Sequence, residues 1–324
     1  MSESISHCML DLVEEEYTIE DYQSAVPRWC VGCGDHGVLT AVQRLCRDEK
    51  LPPEKTVFVS GIGCSSRFPH YLKTYGFHGL HGRALPIAQG VKIKRPDLHV
   101  FVIMGDGDCC SIGTAHWIHA LRYNMNMTAI VLDNSIYGLT KNQASPTSPL
   151  GQVSNTTPKG SFIDPLNPID VTLGVGSASF VAQAVDWIPD LTHDIIQAAF
   201  HHRGFSFIRV LQRCPEFMGH KYDDWVQNPD RMLLLKHENG LKISDDLGRI
   251  YRNQEVHDPS QRNRAREIAA VSDPIPVGIL YQNQDIPCYE DHQVSDIMNT
   301  PEIVDTYLQQ EFDKYTIKPP GANA

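Results

Sequence analysis

Six side chains of this sequence have the types and spacing to hold metals. Cys30 and Cys33 form a Cys-x-x-Cys pair in Trp29-Cys30-Val31-Gly32-Cys33-Gly34, Cys64 stands in Gly61-Ile62-Gly63-Cys64-Ser65, and Cys214 follows Gln212-Arg213. Converging thiolates bind either an iron–sulfur cluster or a structural Zn²⁺, and glycines in the Cys-x-x-Cys turn let backbone N–H groups point at sulfur. Asp106 and Asn134 offer harder atoms. Asp106 lies in Gly105-Asp106-Gly107-Asp108, and Asn134 opens Asn134-Ser135-Ile136-Tyr137-Gly138-Leu139-Thr140. One anionic oxygen, one neutral oxygen and a main-chain carbonyl aimed inward by the turn after Asn134 suit Mg²⁺. That ion keeps few protein ligands and fills its shell with phosphates and water. Gly107 allows close approach of a phosphate, and the next helix presents free N–H groups to the same anion.

The elements that must position these groups follow from hydrophobic patterning. Residues 100–104 and 127–132 are unbroken apolar runs, too short for helices and of the length of buried strands. A helix-like segment over 111–123 joins them, so the stretch reads strand, acidic loop, helix, strand, polar loop. In a parallel βαβ unit both loops lie at the carboxyl ends of the strands, where open α/β sheets bind ligands. Further strands are predicted at 56–60, 179–183 and 205–211, with helices over 38–47, 84–94 and 190–202. The pattern predicts an α/β fold built on a doubly wound, mostly parallel sheet. On that sheet Cys64 and Cys214 each fall just past a strand, at the same edge as Asp106 and Asn134. The Gly61-x-Gly63 pair is not a dinucleotide fingerprint, because Ser66 occupies the third glycine position. Residues 146–168, rich in Pro, Ser, Thr and Gly, are expected to cover the ligand edge as a long loop. His116 and His119, three apart on one helix face, are expected to be packed or hydrogen-bonded rather than metal-bound.

Composition bounds the answer. With 324 residues, 41% hydrophobic and 21% charged, the chain suffices for one large domain or two small ones and is ordinary for a globular protein. A formal net charge of −11 without a basic stripe argues against nucleic acid as a partner. No apolar run approaches a membrane span and no charged-then-apolar leader opens the sequence, so no membrane partner and a cytoplasmic location are expected. Nine cysteines are many for that compartment, where disulfides are disfavoured, which points to metal binding or catalysis. Cys46, Cys109 and Cys110 read as buried small hydrophobes, and Cys8 and Cys288 receive no role. Residues 1–25 read as an acidic N-terminal arm with one helical turn near 17–22. Residues 26–215 form the ligand-binding α/β domain, and 216–324, charged and turn-rich, an extension wrapping the domain or a partner.

Gly105-Asp106-Gly107 followed by Asn134 at a strand end resembles the magnesium–diphosphate motif of thiamine diphosphate enzymes. Taken with the segments 29–37, 61–71, 81–92 and 133–148, it resembles the β subunit of 2-oxoacid:ferredoxin oxidoreductases, particularly the 2-oxoglutarate type. The likeness covers about residues 26–215, with a weaker match over 276–289. It implies a thiamine-diphosphate-binding domain in which Cys30, Cys33, Cys64 and Cys214 would hold a [4Fe–4S] cluster. Asp106, Asn134 and the main-chain carbonyl of Ile136 would ligate Mg²⁺. Ile62, Gly63, Cys64, Ser65, His81, Gly107, Asp108, Gly138 and Leu139 would touch thiamine diphosphate, and Lys141 would meet a substrate carboxylate. The implied reaction is CoA-dependent oxidative decarboxylation of 2-oxoglutarate to succinyl-CoA and CO₂, reversible in this family, with electrons passing through the cluster to ferredoxin. Pyruvate or another 2-oxoacid is the alternative substrate. The activating glutamate is expected from an α subunit that bears the pyrimidine-binding domain, in an αβ or (αβ)₂ assembly, so this chain alone is expected to be inactive. Rival readings are a non-oxidative thiamine diphosphate enzyme subunit with structural zinc, and a non-catalytic zinc-stabilised scaffold. Two positions depart from the family: Asn142 stands where glycine is usual, and the Cys109-Cys110 pair is unusual.

Overall fold

The computed structural model describes residues 16–238, 240–292 and 301–315; most of the expected N-terminal arm, including Cys8, lies outside them. Ile19–Tyr22 forms the single helical turn expected near the start. The strands are β1 (Thr56–Ser60), β2 (Tyr75–His78), β3 (His99–Gly105), β4 (Met127–Asp133), the short hairpin β5 (Ile136–Tyr137) and β6 (Gln143–Ala144), β7 (Phe180–Val185), β8 (Phe205–Leu211), β9 (Met232–Lys236), β10 (Gln254–Val256) and β11 (Ile275–Gln282). The helices are α1 (Asp35–Asp48), α2 (Ala84–Lys94), α3 (Thr114–Tyr123), α4 (Pro168–Gly174), α5 (Pro189–His201), α6 (Asp223–Gln227), α7 (Asp245–Ile250) and α8 (Arg262–Ala269).

Nine strands form one sheet in the order β10-β9-β11-β7-β8-β4-β3-β1-β2. Neighbours are parallel except where β11 meets β7. Strands β1, β4 and β7 are buried at every position, which requires cover on both faces. Alternate side chains feed two cores. Phe101, Ile103, Ile130, Leu132, Ile208 and Val210 pack with Val42 and Leu45 of α1 and Ile195 and Ile196 of α5. Val100, Val102, Met104, Val131, Phe205 and Phe207 pack with Leu85 of α2 and Trp117 and Leu121 of α3. The sheet is therefore doubly wound and mostly parallel, as the patterning predicts.

The chain after Pro215 differs from the expected wrapping extension. It widens the sheet: β11 inserts between β7 and β9, and β10 forms the outer edge. Pro276 and Gly278 interrupt the apolar pattern of β11 and hid it. Gly278 takes φ +138 next to a register shift between Ile279 and Tyr281, and a Cβ there would sit 2.8 Å from the Leu235 carbonyl oxygen. Strand β2 was illegible for another reason, since all four of its residues are exposed. Beyond Tyr289 a second unit begins at Glu290, in which Pro301–Lys314 is helical. Among the described residues no helix is long and apolar enough to cross a membrane.

The adjacent strands β1, β3, β4 and β8 run parallel and end at one edge. The loops leaving them begin at Gly61, Asp106, Asn134 and Gln212, so four distant stretches of sequence meet there.

Candidate active site

A cavity of ≈ 160 Å³ opens at that edge, walled by the loops after β1, β3 and β4 and by His81. Asp106 is buried, and its Oδ2 lies in hydrogen-bond contact with Thr147 Oγ1 at 2.8 Å. Burial, with the charge of Asp133 added, pushes the Asp106 carboxyl up to about 7. Asp133 is also fully buried, yet Arg209 at 2.6 Å and Lys221 beyond it hold its carboxyl below the ordinary range. The Thr147 hydroxyl lies 2.6 Å from Asp133 Oδ1 as well, wedged between the two carboxylates. A hydroxyl has one proton to give, so this placement suits an Asp106 that is protonated until a cation replaces the proton.

The turn after Asn134 is over-determined. Ser135 is buried at φ +60, a conformation rare outside glycine. Its N–H and Oγ both donate to Asp133 Oδ1 at 3.1 Å, and Ser148 Oγ donates to its carbonyl at 2.6 Å. These bonds hold the strained residue and set Asn134 Oδ1 3.1 Å from the Ile136 N–H. Asn134 and Ile136 both line the cavity. The long loop expected over the ligand edge thus braces Asp106 and the Asn134 turn from behind, through Thr147 and Ser148. In the β5–β6 hairpin Lys141 and Asn142 take φ +67 and +70. The second value explains why glycine is usual at 142 and why asparagine, which tolerates this region, substitutes for it.

Two expected cofactor contacts have other work in this structure. Asp108 Oδ1 accepts from the N–H groups of Ile62 at 3.2 Å and Gly82 at 2.6 Å and lies 2.6 Å from His81 Nδ1. It lines the cavity while tying three loops together, and its ionisation is disfavoured chiefly by burial. Gly107 has no space for a Cβ because the Tyr137 ring lies there, its hydroxyl donating to the Gly107 carbonyl at 3.1 Å. The aromatic ring by itself demands glycine at 107. A π turn, Asp108–Ile112, also precedes α3, where the patterning placed an α-helix from Ser111.

The four cysteines meet at a second cavity of ≈ 310 Å³, lined by Cys30, Cys33, Cys64 and Cys214 and by Lys141. It shares Cys64, Asn134, Gly138 and Leu139 with the first cavity. Gly138 stands at the divide: a Cβ there would be 3.6 Å from Cys64 Sγ and 3.9 Å from Cys214 Sγ. Hydrogen bonds clamp the contributing segments. Gly34 N–H donates to the Arg213 carbonyl at 3.1 Å, and Trp29 Nε1 donates to the Cys64 carbonyl at 2.7 Å. Burial pushes the Cys64 thiol up to about 12 and lifts Cys214 also, while burial and the Asp35 carboxylate lift Cys33. Thiolates in this setting need compensating positive charge. Among the described residues no three His, Cys, Asp or Glu side chains gather as closely as a single ion requires.

Four site residues escaped the sequence reading. Thr147, Arg209 and Lys221 form the network behind Asp106, and Gln212 stands between the cavities, bonded to Cys33 and Asn134. Nothing local marks them, since Gln212 and Cys33 are 179 residues apart. Cys46, Cys109 and Cys110 are buried as expected. His116 is half-buried, and His119, though exposed, packs its ring against Tyr123 with centroids 6.4 Å apart.

Comparison with known proteins agrees with this geometry. Residues 61–210 match the family model described as thiamine pyrophosphate enzyme, C-terminal TPP binding domain. Residues 248–295 match the family model for the C terminal of the pyruvate ferredoxin oxidoreductase beta subunit. The chain is 49% identical over 216 residues to the 2-oxoglutarate oxidoreductase subunit KorB of Mycobacterium tuberculosis, covering 67% of this chain and 58% of that protein's length. It is 35% identical over 272 residues to the 2-oxoacid:ferredoxin oxidoreductase 2, subunit beta, of Aeropyrum pernix, covering 84% and 85% of the two chains. It also resembles the solved 2-oxoglutarate:ferredoxin oxidoreductase from Magnetococcus marinus with 2-oxoglutarate, coenzyme A and succinyl-CoA bound. That match has a TM-score of 0.74 at 35% identity and covers 90% of this chain and 96% of the other. Fold and site together define a thiamine-diphosphate-enzyme α/β domain. Within that class, the chain belongs to the family of 2-oxoacid:ferredoxin oxidoreductase β subunits.

Proposed function

We propose that this chain is the cofactor-binding β subunit of a 2-oxoglutarate:ferredoxin oxidoreductase, forming succinyl-CoA and CO₂ from 2-oxoglutarate and CoA and passing electrons to ferredoxin. The observation that carries this reading is the four-thiol cavity sharing a wall with the Asp106–Asn134 cavity. An organic cofactor anchored in one would lie beside an electron acceptor held in the other. Thiamine diphosphate supplies the electron sink for decarboxylation, and a [4Fe–4S] cluster takes up electrons singly.

The residues present fit both groups. Asp106, Asn134 Oδ1 and the Ile136 carbonyl form the hard-oxygen set expected of Mg²⁺ bound to a diphosphate. Thr147 and Asp133 hold Asp106 in place, and Asp108 fixes His81 and the Ile62 loop against the same cavity. Four thiols around ≈ 310 Å³, sharing a wall with the cofactor cavity, suit an electron-accepting iron–sulfur core better than zinc, which takes up no electrons. Lys141, exposed where the thiol cavity opens, offers a cation to the distal carboxylate of a dicarboxylic oxoacid. The activating carboxylate for the cofactor comes, in this reading, from an α subunit in an αβ or (αβ)₂ complex. The test is co-purification with that α subunit under argon, followed by viologen reduction with a panel of 2-oxoacids plus CoA. Turnover greatest with 2-oxoglutarate and absent from the isolated chain is the expected result; turnover by the isolated chain, or none dependent on CoA, would overturn it.

A further inference from the structure

Gln212 leaves the end of β8 two residues before Cys214 and is 1% exposed. A buried amide must place a donor group and an acceptor, and here they point to different halves of the site. Nε2 donates to Cys33 Sγ at 3.2 Å and also to the Arg213 carbonyl; Oε1 accepts from Asn134 Nδ2 at 2.8 Å. The backbone is pinned too, the Gln212 N–H donating to the Asp133 carbonyl at 3.0 Å. The side chain therefore has little freedom to turn over.

Each contact has a chemical consequence. A hydrogen bond to a cluster sulfur stabilises the more negative, reduced state and so raises the reduction potential. An asparagine whose N–H₂ is held by an acceptor must turn Oδ1 away from that acceptor, and here Oδ1 accepts from the Ile136 N–H in the turn that lines the first cavity. We propose that Gln212 is a positioning residue joining the two cofactor sites, favouring electron uptake at the Cys33 side while fixing Asn134 with its oxygen toward the metal. This rests on the reading of the four thiols as cluster ligands and of Asn134 as a magnesium ligand.

The experiment uses the αβ complex purified anoxically, comparing wild type with Gln212→Met and Gln212→Leu, which keep the bulk and remove both polar ends. Three quantities are measured: iron and sulfide content, cluster potential by dye-mediated titration with dithionite followed by EPR, and Mg²⁺-dependent thiamine diphosphate binding by calorimetry. Both variants should keep the cluster and shift its one-electron equilibrium about tenfold toward the oxidised form, equivalent to about 59 mV. They should also bind cofactor about 10–100-fold more weakly, as loss of an outer-shell partner does. A purely structural glutamine would lower only the melting temperature. Unchanged potential in variants with full iron overturns the inference alone. A wild-type complex without a cluster overturns the reading beneath it as well.

Discussion

Asp106 is the residue whose chemistry the structure constrains most sharply, and Asp106→Asn tests it. Burial and the Asp133 charge raise its carboxyl from 3.8 to about 7 in the cofactor-free protein. The unfolded chain ionises near pH 4, so between that and about 7 the folded chain holds an extra proton. Stability must then fall as pH rises through this window and level off above it. Each pH unit carries about 1.36 kcal/mol, so the ceiling is about 4 kcal/mol. The amide of the variant would carry no charge to penalise and should lack this slope. Urea denaturation of EDTA-treated protein from pH 4.5 to 8 should show the variant gaining on wild type by about 2–4 kcal/mol, nearly all of it below pH 7. Mg²⁺ with thiamine diphosphate should reverse the order at high pH by stabilising wild type alone, because the ligand binds the ionised carboxylate. Parallel pH profiles for the two proteins would refute the argument.

Two glycines should fail in opposite ways. Gly107→Ala forces a methyl into the Tyr137 ring and should destabilise the fold by about 1–3 kcal/mol in chemical denaturation. Gly138→Ala meets only ordinary contact distances, so its melting temperature should hold while iron content drops, the methyl facing the Cys64 and Cys214 thiols proposed to bind it. Arg209→Met leaves Asp133 buried without its guanidinium and should cost about 3–5 kcal/mol, seen as a lower urea midpoint. Lys141→Ala in the αβ complex should raise KM for 2-oxoglutarate with kcat little changed and leave KM for pyruvate unaltered; equal effects on both substrates would remove Lys141 from substrate recognition.

Much of this site can be read from the sequence because its chemistry is carried by loops that follow strands. The runs before Asp106 and Asn134 are apolar at nearly every position, as parallel strands covered on both faces must be, and their ends locate the ligand edge. The Cys-x-x-Cys turn and the cysteines past β1 and β8 follow from the same logic. Sequence patterning does not register what lies across the chain. Thr147 braces Asp106 from a loop 41 residues away, and Gln212 reaches Asn134 over 78 residues; both are ordinary polar residues until folding brings them together. Gly107 is legible as a necessary glycine, but the Tyr137 ring that crowds it comes from β5, 30 residues on, and leaves no local mark. Strand β11 is hidden by Pro276 and Gly278, which sit inside it because a register shift and a positive φ accommodate them.

In the proposed enzyme Cys30, Cys33, Cys64 and Cys214 share one inorganic core beside the diphosphate anchor. Metal and sulfide analysis of the anoxically purified αβ complex, with EPR after dithionite reduction, tests it most directly. The account predicts about four irons and four sulfides from these ligands, an S = 1/2 signal, and their loss in Cys214→Ala. One zinc per chain with no sulfide, or iron retained in full by Cys214→Ala, would contradict it.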